Sequence, residues 1–564
     1  FRVSGNKCSD IMLLESSFFG ISMQSNASNS KYSIIKNEFR RVSTIFDQIS
    51  NGFFQLFYLN FTATSCTYIQ RNLISDMSIT APNKETTKSN GLIFNCINLD
   101  VTASDNLVTQ NRVDSIFFDA SASSSLMLKL FSIESIGGIK LVFTRNCATN
   151  IGNVTSGRFG DLTGLFYSTI EPSVVPSNIR IFNNVFRLGR RSLTSSGLMR
   201  GVDFSLNDID SLYFVHNSMS MEGNFSGSVY SDALFVSNTI ASLYLRNNLL
   251  INKRLNQDGK SLMIHSTNSY PSGLTEHWSD YNNILPATAL FRVGNTSYTG
   301  INNWTNSVLK PDKHSFTINM QYQDSSFLIP KREYYLPCEP FGGVLTDFNG
   351  HNRSLSPFKP DIGAFEKVER EVSRWMGTSA DWMNPLNWDT GLVPSVNSIV
   401  LIPPWAIGFP NLPTGANIEL KELNNYSNDP LIVDATSSLT ISGNDLHDTT
   451  KLQLVLQGSL MSSSSLVTNS LVKIEMIRPI DGYSSWPEIQ QPLHGWHLFS
   501  SPIKNFGFES FLQDDDSADL YYWDEKANNW INRKLEGGMI NPLFGDSFQQ
   551  GRGYLIASKL LRTI

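Results

Sequence analysis

Ile179-Arg-Ile-Phe-Asn-Asn184-Val-Phe186, Leu212-Tyr-Phe-Val-His-Asn217-Ser-Met219 and Leu243-Tyr-Leu-Arg-Asn-Asn248-Leu-Leu250 decide the fold. The three phrases align on Asn184, Asn217 and Asn248, which recur at 33 residues (184 to 217) and 31 residues (217 to 248). The same phrase occurs around Asn37, Asn72 and Asn146. Three residues before the six Asn sit Ile34, Ile69, Phe143, Ile181, Phe214 and Leu245, and two after sit Phe39, Ile74, Ala148, Phe186, Met219 and Leu250. Alternate positions therefore share one apolar face, the two-residue period of a half-buried strand. Asn283 follows Asn248 as a further turn, and the stretches around Asn95 and Asn111 read as additional, less regular ones.

A short strand recurring every 30 or so residues, with polar filler between, fits a coil of several strands and loops. Stacked coils form a parallel β-helix, in which equivalent residues lie about 4.8 Å apart. A charge at a repeated position would then face its own copy, at a cost of roughly 1 kcal/mol in water and several at an effective dielectric near 20. Asn, Ser and Thr stack without that cost, which accounts for a charged fraction of only 17%. A repeated Asn also donates and accepts along the stack. The alternative is an antiparallel sandwich with Asn at its turns, but that architecture spaces strands at about 8–12 residues and requires no shared phrase.

With 564 residues and 41% hydrophobic content, the chain is long enough for several folded domains. Its formal charge of -6 argues against nucleic acid as a partner. No apolar run approaches the roughly 20 residues of a transmembrane segment. The first residues, Phe-Arg-Val-Ser-Gly, and the last, Leu-Arg-Thr-Ile, read as the ends of a fragment. Cys8, Cys66, Cys96, Cys147 and Cys338 are odd in number and scattered, which argues against zinc and against a disulfide framework. Chance accounts for most of the eight Asn-x-Ser/Thr sequons in so Asn- and Ser-rich a chain.

Ser279-Asp-Tyr-Asn-Asn-Ile-Leu285, then Asp347-Phe-Asn-Gly350-His-Asn-Arg353 and Pro360-Asp-Ile-Gly-Ala-Phe-Glu366, resemble the closing stretch of secreted bacterial right-handed parallel β-helix proteins of the pectate-lyase-like fold group. The resemblance covers residues 1–366 and implies a closing segment at about 284–366, followed by a linker at 367–374. Trp375-Met-Gly, Asp381-Trp382, Asn387-Trp388 and Gly391-Leu-Val-Pro394 resemble the opening of a module repeated in large bacterial surface proteins; this implies a small β stack at 375–479. Gly495-Trp-His-Leu-Phe-Ser-Ser-Pro502, Asp519-Leu-Tyr-Tyr-Trp-Asp524 and Gly551-Arg-Gly-Tyr-Leu555 resemble a module near the ends of proteins exported by the type IX secretion system. That implies a truncated β module at 480–564 and a secreted or cell-surface location.

Polysaccharide lyases on this fold resemble one another in using a basic residue to remove the proton beside a uronate carboxylate, with Ca²⁺ held by Asp or Glu. Lys36, Arg71, Arg145, Asn183, His216 and Asn247, each just before a repeated Asn, form a partly basic strip in which Arg145 and His216 are candidate bases. A solvent-facing turn position that tolerates any polar residue is the preferred explanation of the strip. Asp203, Asp208 and Asp210 are the candidate metal ligands, against the reading of ordinary loop carboxylates. His494 and His497 lack a companion ligand, and Asp514, Asp515 and Asp516 read as an exposed run. Trp375, Trp382, Trp388 and Trp405 form either a sugar platform or, by preference, a small module's core.

The expected architecture is all-β: a right-handed parallel β-helix followed by two small β-rich modules. The expected role is an elongated scaffold or adhesin-like protein that contacts polysaccharide or cell-surface glycan and needs no cofactor. The alternative is a polysaccharide lyase, which would need Ca²⁺.

Overall fold

The computed structural model describes, in its first unit, residues 2–14, 18–25, 30–45, 53–61, 66–81, 93–101, 105–120, 127–136, 139–153, 161–171, 177–189, 198–205, 209–223, 231–236, 240–254, 261–266, 278–285, 289–293, 296–307, 311–355 and 358–367. Beyond these it describes 372–377, 379–406, 408–427, 429, 431–433, 436–442, 453–456, 459–462, 473–476, 479–480, 496–500, 506–508, 518–535, 539–549, 551–558 and 562–563. The chain forms two compact units, Phe1–Arg370 with Asp389–Gly391, and Glu371–Trp388 with Leu392–Ile564.

The first unit is a parallel β-helix of three sheets. The first sheet has nine strands, from Arg2–Ser4 to Ser279–Asp280, and the second has nine, from Lys7–Leu14 to Asn283–Leu285. The third has ten: nine from Phe18–Ser25 to Ala289–Val293, and the antiparallel strand Thr296–Tyr298 that closes it. Each coil contributes one strand to each sheet, and strands pair with their counterparts one coil away. Ile34, Ile69, Val108, Phe143, Ile181, Phe214 and Leu245 are consecutive register partners and are buried. Each such side chain contributes roughly 1.5–3 kcal/mol on burial, so this one column anchors seven coils to a common axis.

At the far end, the short helix Ile301–Thr305 inserts Trp304 against the core, stacked on Phe291 at 3.9 Å and edge-on to Trp278 at 6.0 Å. The closing segment then doubles back along the side of the coils. Leu328, Ala364 and Phe365 pack on Cys147 and Val185 to make a satellite core. The coil bodies are held by backbone ladders; the strap is held by side chains and by a few main-chain bonds, such as Gly363 N–H to Asn247 O at 2.8 Å.

The second unit starts as three small parallel sheets. These comprise Val372–Arg374, Ile399–Ile402 and Glu422–Asn425; Asn417–Leu420, Ser438–Ile441 and Ser459–Ser462; and Leu431–Val433, Gln453–Leu456 and Lys473–Met476. Trp375, Trp382 and Trp388 are its buried centre, with ring centroids 4.8–6.5 Å apart, and Trp405 is also buried. The tryptophans are therefore core, and the sugar-platform alternative does not hold for them. A separate antiparallel sheet follows, ordered Trp496–Ser500, Gly553–Ser558, Ala518–Asp524 and Asn529–Asn532. His497 is a strand residue opposite Ile556, while His494 and Asp514, Asp515 and Asp516 lie outside the described residues.

Candidate functional site

The turn from the first sheet to the second is made by two residues, and its chemistry repeats in every coil. The first residue takes a left-handed backbone: Lys36, Arg71, Gln110, Arg145, Asn183, His216, Asn247 and Tyr281 have φ between 54° and 60°, and Gly5 has 75°. For non-glycine residues this conformation costs about 1–2 kcal/mol each. The second residue offsets the cost. The side-chain oxygen of each Asn accepts both the backbone N–H and the side-chain amide of the Asn one coil earlier, as in Asn184 to Asn217 at 3.1 and 2.9 Å. Its Nδ2 also donates to a main-chain carbonyl one coil earlier, as in Asn217 to Ile181 at 3.0 Å.

The ladder runs through Asn6, Asn37, Asn72, Asn111, Asn146, Asn184, Asn217, Asn248 and Asn282, at spacings of 31, 35, 39, 35, 38, 33, 31 and 34 residues. Asn111 is a full member. Asn95 instead lies within the strand Ile93–Val101 of the third sheet. The last turn uses Asn282 and not Asn283, whose amide bonds Ile318. Asn6 carries the expected spacing, with Val3 three before it and Cys8 two after, yet the repeat reading passes over it. The ladder terminates on Asp312, whose buried carboxylate accepts from Asn282 Nδ2 at 3.0 Å, Ser315 Oγ at 2.7 Å, Ser279 Oγ at 2.8 Å and Trp304 Nε1 at 2.7 Å. Burial raises the pKa of this carboxyl against the pull of those four donors.

The partly basic strip is this left-handed position, and the doubled-back strap covers its middle. Arg353 Nη2 donates to Asn183 Oδ1 at 2.7 Å and to Gly363 O at 2.8 Å; its Nη1 donates to Asp361 O and Glu366 Oε2, both at 3.1 Å. Asn183 Nδ2 donates to Thr346 O at 2.6 Å, and Asn247 Nδ2 to Glu339 O at 2.9 Å. Gly363, at φ 89°, approaches so closely that a Cβ there would lie 2.7 Å from Ser218 Oγ. His216 is fully buried beside Asn247, with Nε2 3.0 Å from its Nδ2, and burial together with the Arg353 charge holds its pKa well below the usual imidazole range. Arg145 donates to Thr346 Oγ1. The two candidate bases are thus strap contacts.

Asp203 lies on the outer face of the third sheet and is paired with Arg200 at 2.7 Å; Arg200 also reaches Asp232 at 3.4 Å and covers the Phe235 ring. Asp208 lies outside the described residues. Asp210 belongs to Ile209–Val215 of the first sheet, so Asp203 and Asp210 do not share a sheet face. Among the described residues no group of three or more His, Cys, Asp or Glu side chains could hold a metal ion.

The outer side of the first sheet is a second repetitive surface; at one end of it Phe341 of the strap packs on Tyr213 and Tyr244, with ring centroids 6.1 and 6.4 Å away. Ser33, Tyr68, Leu107, Val142, Arg180, Tyr213 and Tyr244 are consecutive register partners, and their side chains form an outward column. Tyr213 and Tyr244 stack at 4.7 Å and 1°, and the Arg180 guanidinium lies 5.4 Å from the Tyr213 ring. Beside the column, Asp105, Lys140 and Asn178 are partners in the neighbouring outward row. Tyr68, Leu107, Val142, Lys140, Asn178 and Arg180 help line a cleft of about 440 Å³ there.

A family model described as a domain of unknown function, DUF8693, matches residues 374–561, which apart from Asp389–Gly391 belong to the second unit. No curated protein and no solved structure matches the chain. No helix among the described residues is long and apolar enough to cross a membrane.

Proposed function

We propose that this chain is an elongated scaffold of the pectate-lyase-like β-helix kind, adhesin-like, secreted or surface-displayed, and in contact with polysaccharide or cell-surface glycan. The sequence resemblance of its C-terminal modules to those of type IX exported proteins is what favours that location. The observation that carries the reading is the outward column from Tyr68 to Tyr244, in which one side chain per coil projects at the β-sheet repeat. Rings and polar groups in a straight row suit a linear polymer: rings stack on the apolar faces of sugars, and amides and cations bind hydroxyls. The lyase alternative has less support, because His216 is buried, Arg145 is engaged by Thr346, and Asp203 is neutralised by Arg200.

The test is retention of the purified chain on immobilised plant and bacterial polysaccharides, beside a continuous assay for unsaturated sugar products with and without Ca²⁺. The expected result is retention without product formation. Retention on none of the polymers would end the glycan reading, and Ca²⁺-dependent product would restore the lyase.

A further inference from the structure

The strap carries a chemically labile dipeptide at one of its turns. Asn-Gly occurs in the chain at Asn51-Gly52, Asn90-Gly91 and Asn349-Gly350, and only the last lies among the described residues. Such a step can rearrange because glycine, having no Cβ, lets its main-chain nitrogen approach the preceding side-chain amide. Asn349 and Gly350 are both exposed, so water reaches them. The closed turn opposes the reaction. Gly350 N–H donates to Asp347 O at 3.2 Å, with Gly350 at φ 95°. Asp347 N–H donates to His351 O at 2.8 Å, and the Asp347 carboxylate accepts His351 N–H at 2.8 Å and Glu366 N–H at 3.1 Å. Phe348 N–H donates to Ala364 O at 2.8 Å, and Arg353 holds the carbonyls of Asp361 and Gly363 in that same stretch. Ring closure needs the Gly350 N–H to lose its proton and the backbone around it to rotate, and each of these bonds resists that rotation.

We propose that Asn349 is a deamidation site gated by the docked strap, and that its conversion holds the strap open. When the turn opens, hydroxide takes the Gly350 amide proton and the nitrogen attacks Asn349 Cγ. The Cγ–Nδ2 bond breaks, ammonia leaves with a proton from water, and a succinimide remains. Arg145 Nη2 lies 4.0 Å from the point where a Cβ on Gly350 would stand, a cation placed to favour the deprotonated nitrogen. Water then opens the ring. Addition at Cγ gives an aspartate; addition at the main-chain carbonyl gives an isoaspartate, whose backbone runs through the former side chain and is longer by a methylene. In that lengthened turn the Asp347–His351 and Phe348–Ala364 bonds cannot all close, so the strap stays undocked.

The experiment holds the full chain in mildly alkaline buffer and follows position 349 by peptide mass, with fragmentation that separates aspartate from isoaspartate. The parent, Arg353→Ala and the parent in concentrated urea are compared. The native parent should convert at least about tenfold more slowly than the chain in urea, and Arg353→Ala should approach the urea rate, because its turn opens more often. Chains that have gained isoaspartate should expose the buried Cys338 to a thiol reagent. Asn349→Gln aged in parallel should keep Cys338 protected, and so should freshly prepared Asn349→Asp, which gains the charge without the extra methylene. Equal rates with and without urea, or in the parent and Arg353→Ala, overturn the gating. Isoaspartate with Cys338 still protected, or Cys338 exposed in fresh Asn349→Asp, overturns the effect of the lengthened backbone on the strap.

Discussion

Replacing Asn217 by Ala removes one rung of the ladder, and the geometry sets the cost. Asn217 Oδ1 accepts the backbone N–H of Asn184 at 3.1 Å, and Asn217 Nδ2 donates to the Ile181 carbonyl at 3.0 Å. Both contacts are buried, so water does not replace them. Asn248 Oδ1 keeps the backbone N–H of Asn217 at 2.9 Å, so that neighbour is only partly orphaned. Two orphaned buried groups at about 1–3 kcal/mol each give about 2–6 kcal/mol of local destabilisation. Asn217→Asp retains the acceptor but loses the donor, and it buries a carboxylate against Ile181 O and Asn248 Oδ1; it is expected to cost at least as much. Thr109→Ala, on the outward face, should cost less than about 0.5 kcal/mol. Urea titration read by hydrogen exchange separates the coils from the second unit, and the loss should centre on peptides covering residues 177–221. A change below about 0.5 kcal/mol for Asn217→Ala, with the Asn184 amide still protected, would refute the claim that the ladder stabilises the turns.

Arg353→Ala leaves the Glu366 carboxylate buried without its cation, so the strap should detach at a cost of about 3–5 kcal/mol. Cys338, whose Sγ lies 3.2 Å from Pro360 O, should then react with a thiol reagent while Cys96 remains inert. Gly363→Ala should disturb the same docking, because its Cβ would strike Ser218 Oγ and its φ is positive. Burial, with the Asp361 charge, pushes Glu366 up to about 7 against the pull of Arg353. The native state therefore holds this proton more tightly than the unfolded chain, and the contribution is full below the unfolded value and falls as pH rises toward 7. Melting of the first unit measured from pH 4.5 to 8 should show that decline in the parent chain, and Glu366→Gln should flatten it. Identical pH profiles would remove Glu366 from the account.

The parallel coils were legible because Ile181, Phe214 and Leu245 sit at one distance from their Asn, and a strand cannot slip by one residue without exposing that set. Legibility faded where inward positions are polar. Asn106, five residues before Asn111, is buried and breaks the apolar pattern, so that turn looked irregular. At Asn282-Asn283 the doubled Asn left the register open. In Asn183-Asn184 and Asn247-Asn248 the second Asn joins the ladder, whereas here Tyr281 takes the left-handed position and the first Asn joins it. The roles of Arg145 and His216 were not readable locally, since they depend on a strap far along the chain, as in the Arg353 to Asn183 bond across 170 residues. The phrase around Arg353 was visible in the sequence, but its docking partner was not. The Tyr68 to Tyr244 column was hidden in the alternate positions of the same repeat, where Tyr, Leu, Val and Arg share no side-chain type.

Paired cysteines test the coil register most directly. Tyr213→Cys with Tyr244→Cys places two thiols on register partners one coil apart, with a Cα separation of about 4.8 Å, inside the window a disulfide requires. Mild oxidation should join them within one chain, while Tyr213→Cys paired with Arg246→Cys, displaced by two residues, should join far less. Failure of the first pair, or equal cross-linking of both, would contradict stacked parallel coils.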